Sequence, residues 1–183
     1  MATAHPPDFH ELLATPDPPE LGPGPRGGVL SERAVNQAVD QAKKGRALST
    51  ERLELVRALA LLWHDHHDSA HRIVQDLDNA DGSMIHAILH RREPDYGNAG
   101  YWFRRVGRHG AFPLITCEVA ELLKGGDESG FARRVLPAGD WDPLGMLELC
   151  REFNRPGTRS ESQRQVREIQ ATESRVLLKW FFR

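Results

Sequence analysis

Histidines dominate the part of this sequence that could carry chemistry. Seven of the nine histidines fall within residues 63–109, together with arginines, carboxylates and an aromatic run. Two pairs are spaced four residues apart, His67 with His71 and His86 with His90. On a helix this spacing places both imidazoles on one face, about a metal ion's width apart, which is why it recurs in metal sites. The two pairs therefore predict a site for a divalent transition metal, with Zn, Mn, Fe, Ni and Co as candidates.

The same residue types also suit proton transfer. A site built from the four imidazoles would take an oxygen ligand from Glu93 or Asp68 and keep an open position for water. Imidazole and carboxylate groups are also the usual general acids and bases. The candidate catalytic residues are His67, His86, His90 and Glu93. The alternative is that histidines four residues apart simply lie on a solvated helix flank.

Arginines and aromatic residues after the second histidine pair indicate a place for an anionic molecule. In HRREPD, residues 90–95, the guanidinium group of Arg91 could grip a carboxylate or phosphate through paired N–H groups. The YWFRRVGRH segment adds Arg105 and two aromatic rings that could lie beside it. The candidate ligand-binding residues are Arg91, Asn98, Tyr101, Trp102 and Arg105. The alternative is an internal ion-pair network between two helices, which we favour for Arg92 and Asp95.

The composition narrows the class of protein. The chain has 183 residues and a formal net charge of −2, whereas a nucleic-acid-binding domain usually carries a basic excess. Cys117 and Cys150 both fall in apolar, helix-like segments and do not form a disulfide framework. There is no secretory signal pattern, and no apolar run approaches the roughly 18 residues that span a bilayer. We therefore expect a cytoplasmic protein with reduced thiols, no membrane association and no nucleic-acid partner.

Helices must position the histidines, because the sequence shows helical periodicity and almost no period-two alternation. A serine cap and two glutamates predict one long helix from Ser49 or Thr50 to about Asp78. A short turn then separates it from the next helix, which makes the two antiparallel neighbours. The predicted helices cover residues 31–45, 50–78, 83–93, 96–106, 113–125, 143–154 and 159–182. The predicted fold class is all-α, a single multi-helix, bundle-like domain.

The first 29 residues differ in composition from the rest of the chain. They are rich in proline and glycine, as in PDPPELGPGPRGG. Such a composition offers little apolar surface to bury. We therefore expect residues 1–29 to form a flexible, disordered arm, followed by an all-α domain over residues 30–183 with a pocket lined by histidines and arginines.

The segment HAILHRREPDYGNAGYWFRRVGRH, residues 86–109, resembles the signature block of a family of uncharacterised bacterial and fungal proteins. Weaker matches in WHDHHDSAH, WDPLGMLELC and EIQATESRVLLKW extend the resemblance over roughly residues 55–181. The chain departs from the family pattern at Gly100 and Gly110, where a lysine and a proline are expected. It also departs in the last helix, ATESRVLLKWFFR. The resemblance implies a small helical protein and brings no particular activity.

Three functions are consistent with these residues. The first is an enzyme that uses a metal, or histidine acid–base chemistry, on a small carboxylate or phosphate substrate anchored by Arg91 or Arg105. The second is a non-catalytic module that binds an anionic metabolite in the same pocket. The third is a structural or interaction protein whose histidines and arginines form a buried hydrogen-bond network.

Overall fold

The structure, a computed structural model, describes residues 9–126, 130–154 and 160–183. Within those ranges it contains nine α-helices and no β-strand, which confirms the predicted all-α fold. The helices are α1 (Glu32–Ala42), α2 (Thr50–Trp63), α3 (His67–Val74), α4 (Ala80–Arg92), α5 (Tyr96–Val106), α6 (Phe112–Lys124), α7 (Ala132–Val135), α8 (Pro143–Phe153) and α9 (Glu161–Phe181). Along the described chain, none of them is long and apolar enough to cross a membrane.

The helix starts follow local sequence signals. The side chains of Ser31 and Ser49 accept hydrogen bonds from backbone N–H groups three residues later, as N-caps do. Asn79 and Asp95 cap α4 and α5 in the same way. Residues 79–82 (NADG) form the short turn expected between two helices, and they supply the cap and first turn of α4.

The predicted long helix over residues 50–78 is wrong, because the chain turns between α2 and α3. Asp65 lies at this turn with a φ of 67°, in the left-handed region that few residues adopt readily. Its carboxylate accepts hydrogen bonds from the backbone N–H of Arg26 at 3.0 Å and from Arg92 Nη2 at 2.6 Å. These contacts hold the turn. The turn therefore separates α2 from the helix that carries His67 and His71.

Helix α4 lies at the centre of the histidine region. It packs against α2, α3 and α5, and every residue from Gly82 to Arg92 is buried. Four of these buried residues are titratable or charged: His86, His90, Arg91 and Arg92. Because buried polar groups need partners inside the protein, the neighbouring helices must supply acceptors and donors to α4.

Residues 11–29 lie packed on the helices, and this differs from the flexible arm predicted for residues 1–29. Three leucines of the segment are buried: Leu12, Leu13 and Leu21. Backbone carbonyls of Pro18, Pro19, Glu20 and Gly22 accept hydrogen bonds from Arg92, Arg167 and Gln170. Proline lacks a backbone N–H, so proline-rich backbone leaves carbonyls free for such donors. Residues 1–8 of the predicted arm lie outside the described residues.

Candidate metal site

Three imidazoles from two adjacent helices converge at one point. His71 comes from α3, His86 and His90 come from α4, and one ring nitrogen of each lies within 4.8 Å of the others. The Nε2 atoms of His71 and His86 are 3.0 Å apart. Two imidazole nitrogens bound to one ion at about 2.1 Å lie roughly 3.0–3.4 Å apart. His71 and His86 therefore have the spacing of two ligands of one ion, and the three residues are called the histidine cluster below.

His86 is the most enclosed ring of the histidine cluster. Its side chain stacks on the Trp102 ring at 4.0 Å between centroids and on the His90 ring at 4.8 Å. The pKa of His86 is lowered to about 4. Burial is the largest cause, and the nearby His90 and His71 add to it. At neutral pH the ring is therefore uncharged, the form that binds metals. Its Nδ1 atom is buried and has no hydrogen-bond partner among the described residues.

His90 is held through both ring nitrogens. Its Nδ1 lies 3.0 Å from a carboxylate oxygen of Glu93, and its Nε2 lies 3.1 Å from Nδ2 of Asn98. Because an ionised carboxylate only accepts hydrogen bonds, Nδ1 carries the proton and Nε2 carries the lone pair. A carboxylate that orients a metal-binding histidine in this way is a common arrangement. Glu93 therefore positions His90, and is not placed as the oxygen ligand that the sequence predicted.

His67 does not join the histidine cluster, although the sequence predicts it as a fourth ligand. It is the first residue of α3, the helix that carries His71 one turn later. Its side chain is buried, and no residue in the described part of the chain forms a hydrogen bond with its Nε2 atom. Burial, and next the charge of Arg92, lower the pKa of His67 to about 4.

Arg91 is an interior residue, so its prediction as a ligand-binding residue is wrong. Its side chain is fully buried and forms an ion pair with Glu173 of α9, which is equally buried. One guanidinium N–H reaches Glu173 Oε1 at 3.4 Å, and the guanidinium carbon lies 5.6 Å from the centre of the Phe103 ring. The sequence could not identify Glu173, because the two charges are 82 residues apart. The internal network favoured for Arg92 does occur, through Asp65.

The remaining predicted ligand-binding residues lie on α5. Asn98 and Trp102 contact the histidine cluster directly. Tyr101 is 52% exposed and meets Trp102 edge-on at 5.4 Å. Arg105 is exposed, lies over the Trp102 ring at 5.6 Å and forms an ion pair with Asp78, which raises the pKa of Arg105. An exposed cation and two aromatic rings thus adjoin the histidine cluster.

His64 and His109 serve the fold. The Nδ1 of His64 accepts from the backbone N–H of Leu30 at 3.1 Å, which leaves Nε2 to donate to the Leu12 carbonyl at 3.2 Å. His109 and Trp180 both contact Oδ1 of Asp81, each at 2.8 Å. These contacts tie α4 and α9 to the segment before α6.

The packing of Trp180 also restricts residue 110. A Cβ atom there would lie 2.5 Å from the Trp180 ring, so this packing requires Gly110.

Comparison of the chain with family models, curated proteins and solved structures found no match. The resemblance of residues 86–109 to a bacterial and fungal family therefore stays a prediction. The fold and the site together define the class: an all-α protein in which three imidazoles from neighbouring helices converge beside an aromatic and cationic surface.

Proposed function

We propose that this protein is a metal-dependent enzyme in which His71, His86 and His90 hold one divalent transition-metal ion. The observation that carries the proposal is the convergence of three ring nitrogens within 4.8 Å. Two further features support it. The pKa of His86 is lowered to about 4, which keeps that ring neutral, and the contact of Glu93 with His90 leaves the Nε2 lone pair available.

Three neutral imidazoles suit a catalytic ion better than a structural one. Catalytic zinc commonly has three protein ligands and an open position for water or substrate. Because imidazoles are uncharged, the ion keeps its full positive charge, can polarise a substrate oxygen and can lower the pKa of a bound water. Of the candidate metals, nitrogen ligands favour Zn, Fe, Ni and Co over Mn, which prefers oxygen.

The proposed substrate is a small carboxylate or phosphate. With Arg91 enclosed in the core, Arg105 is the predicted anion-binding residue that remains on the surface. Its guanidinium group lies over Trp102, whose ring also stacks on His86. Its present partner, Asp78, is 84% exposed, so a ligand carboxylate or phosphate can replace it. Stacking on an aromatic ring keeps such a guanidinium group in place for bidentate binding.

A buried hydrogen-bond network is the second candidate, because His90 already has a polar contact at both ring nitrogens and His71 contacts His86. A non-catalytic module for an anionic metabolite would use the same surface. We further propose a cytoplasmic location, which the two free cysteines support.

Metal binding by the purified full chain tests the proposal. We expect one equivalent of Zn²⁺ or Co²⁺ per chain, measured by elemental analysis after removal of excess metal. Alanine at His71, His86 or His90 should each abolish stoichiometric binding, because each replacement removes one of three ligands. Helix content, measured by circular dichroism, should stay near that of the wild type.

His67 and His66 provide the matched controls. Both lie outside the histidine cluster, so His67→Ala and His66→Ala should keep one equivalent of metal. Loss of metal in the His67 variant would instead support the four-histidine site predicted from the sequence. A wild-type protein that binds none of the five candidate metals would contradict the proposal and favour the hydrogen-bond network.

A further inference from the structure

Asn98 lies where a further ligand of the proposed ion would be expected. Its amide nitrogen is 3.1 Å from His90 Nε2, the ring nitrogen that carries the lone pair. Ligand atoms that share one ion lie roughly 3.0–3.4 Å apart when each is about 2.1 Å from it. The separation of Asn98 from His90 therefore equals that of neighbouring ligands, and it matches the 3.0 Å between His71 and His86.

The position of Asn98 on α5 directs it to the histidine cluster. The residue is half-buried in the first turn of α5, one helical turn before Trp102, whose ring stacks on His86. An ion bound to His90 Nε2 must occupy space next to the Asn98 amide. A half-turn of that amide exchanges its nitrogen for its oxygen with little change of shape. The oxygen is then the atom that faces the ion.

Glu93 is not in a position to take this role. It contacts Nδ1 of His90, and the two nitrogens of an imidazole ring point in widely different directions. A carboxylate on Nδ1 therefore faces away from an ion on Nε2.

We propose that Asn98 is a fourth protein ligand of the metal through its Oδ1 atom, an inference that rests on the proposed metal site. In the metal-free protein the Asn98 amide donates to His90 Nε2. On metal binding the amide turns, and Oδ1 takes a position beside the three imidazoles. A neutral oxygen ligand leaves the charge of the ion unchanged, and a five-coordinate ion still keeps one position for water or substrate.

Cobalt titration of the full chain tests this assignment, because the visible spectrum of Co²⁺ reports its ligands. Asn98→Leu should raise the dissociation constant for Co²⁺ roughly tenfold or more, since loss of even an outer contact costs that much, and it should change the spectrum. Asn98→Asp places a carboxylate oxygen at the same point and should bind Co²⁺ at least as tightly as the wild type. Asn154→Leu is the control. Asn154 follows α8, is half-buried and contacts Tyr96 of α5, and it does not touch the histidine cluster.

The outcomes separate this inference from the proposed function. If the wild type binds Co²⁺, His86→Ala does not, and Asn98→Leu binds with an unchanged constant and spectrum, the Asn98 assignment is wrong and the metal site stands. Tighter binding by Asn98→Leu would also overturn it, because the amide would then only compete with the ion for His90. If the Leu variant does not fold, a tenfold loss in Asn98→Asp overturns the assignment instead. A wild type that binds no metal contradicts the proposed function itself.

Discussion

Among the residues of the histidine cluster, His90 has the most firmly held ring. Glu93 accepts a hydrogen bond from its Nδ1 at 3.0 Å, and this contact fixes the tautomer whose Nε2 is free to bind a metal. The side chain of Glu93 is 33% exposed, so it contributes little to the core. Its contribution to the site is therefore orientation of His90.

Replacement of Glu93 should weaken metal binding without unfolding the protein. We expect Glu93→Ala to raise the dissociation constant for Zn²⁺ by roughly 10- to 100-fold, the usual effect of losing an outer partner of a metal ligand. Glu93→Gln, which keeps an accepting oxygen, should have a smaller effect. Competition with a chelator of known affinity measures both constants, and an unchanged constant for the alanine variant would exclude the positioning role.

Arg91 and Glu173 form a buried ion pair, which we expect to contribute to stability and not to metal binding. Both side chains are fully buried, so removal of one charge leaves the other without compensation. We expect Glu173→Gln to lower the free energy of unfolding by about 3–5 kcal/mol, measured by urea denaturation, and to leave the Zn²⁺ constant of the folded protein unchanged. A Glu173→Gln variant of normal stability but weak metal binding would show that this pair belongs to the site.

At the scale of the helices, the turn between α2 and α3 depends on a close approach of the N-terminal segment. The carboxylate of Asp65 at this turn accepts a hydrogen bond from the backbone N–H of Arg26. Gly24 has a φ of +89°, and a Cβ atom there would lie 2.7 Å from the Asp65 carboxylate.

Alanine at Gly24 should therefore destabilise the protein. The left-handed backbone alone costs a non-glycine residue roughly 1–2 kcal/mol, and contact with Asp65 adds to it. Thermal denaturation of Gly24→Ala measures the loss. Gly27→Ala is the control, because a Cβ atom at Gly27 would meet nothing within 4 Å. Equal melting temperatures for the two variants would contradict the described turn.

A comparison of the predicted and observed helices shows how much of the fold the sequence could predict. Helix α5 has the predicted bounds, and α1, α8 and α9 lie close to theirs, because serine, proline and glycine signals are local. The pairing of His86 with His90 follows from their spacing on one helix. The break at Asp65 could not be predicted, because Arg26 and Arg92 lie 39 and 27 residues away from it. His67 and His71 share α3, so their spacing could not show that only His71 reaches the histidines of α4.

At the scale of the whole molecule, residues 11–29 are attached to the helices through buried leucines and backbone carbonyls. Their composition predicts a flexible arm. It cannot show that Arg92 and Arg167, far along the chain, donate hydrogen bonds to the backbone carbonyls of this segment. Buried leucines complete the attachment.

Deletion of this segment should therefore cost much stability. We expect a chain that begins at Leu30 to melt about 10 °C or more below the full chain, since each lost kcal/mol lowers the melting temperature by about 2–4 °C at this size. The loss comes from three leucines and from guanidinium groups left without acceptors. An unchanged melting temperature would show that residues 11–29 belong to a flexible arm, as the sequence predicts.

Acid should also destabilise the whole molecule. Burial lowers the pKa values of His64 and His67 to about 4, whereas an unfolded histidine titrates near 6.5. Between these values the unfolded state binds protons that the folded state does not, so stability falls as the pH drops from about 6.5 to 4. Each histidine contributes at most about 1.4 kcal/mol per pH unit. Urea denaturation at several pH values measures this slope, and a flat profile would contradict it.

The pH slope should depend on His64. In His64→Asn the side-chain oxygen can still accept from the Leu30 N–H but does not titrate, so the slope should become smaller. An identical slope in this variant would show that His64 is not a source of the acid sensitivity.

Anomalous diffraction at the metal edge, from crystals of the full chain grown with one equivalent of Zn²⁺ or Co²⁺, tests the proposed metal site most directly. We expect one strong peak about 2.0–2.2 Å from a ring nitrogen of each of His71, His86 and His90. A fully occupied peak elsewhere on the chain, or no peak with the three rings in their present hydrogen bonds, would contradict it.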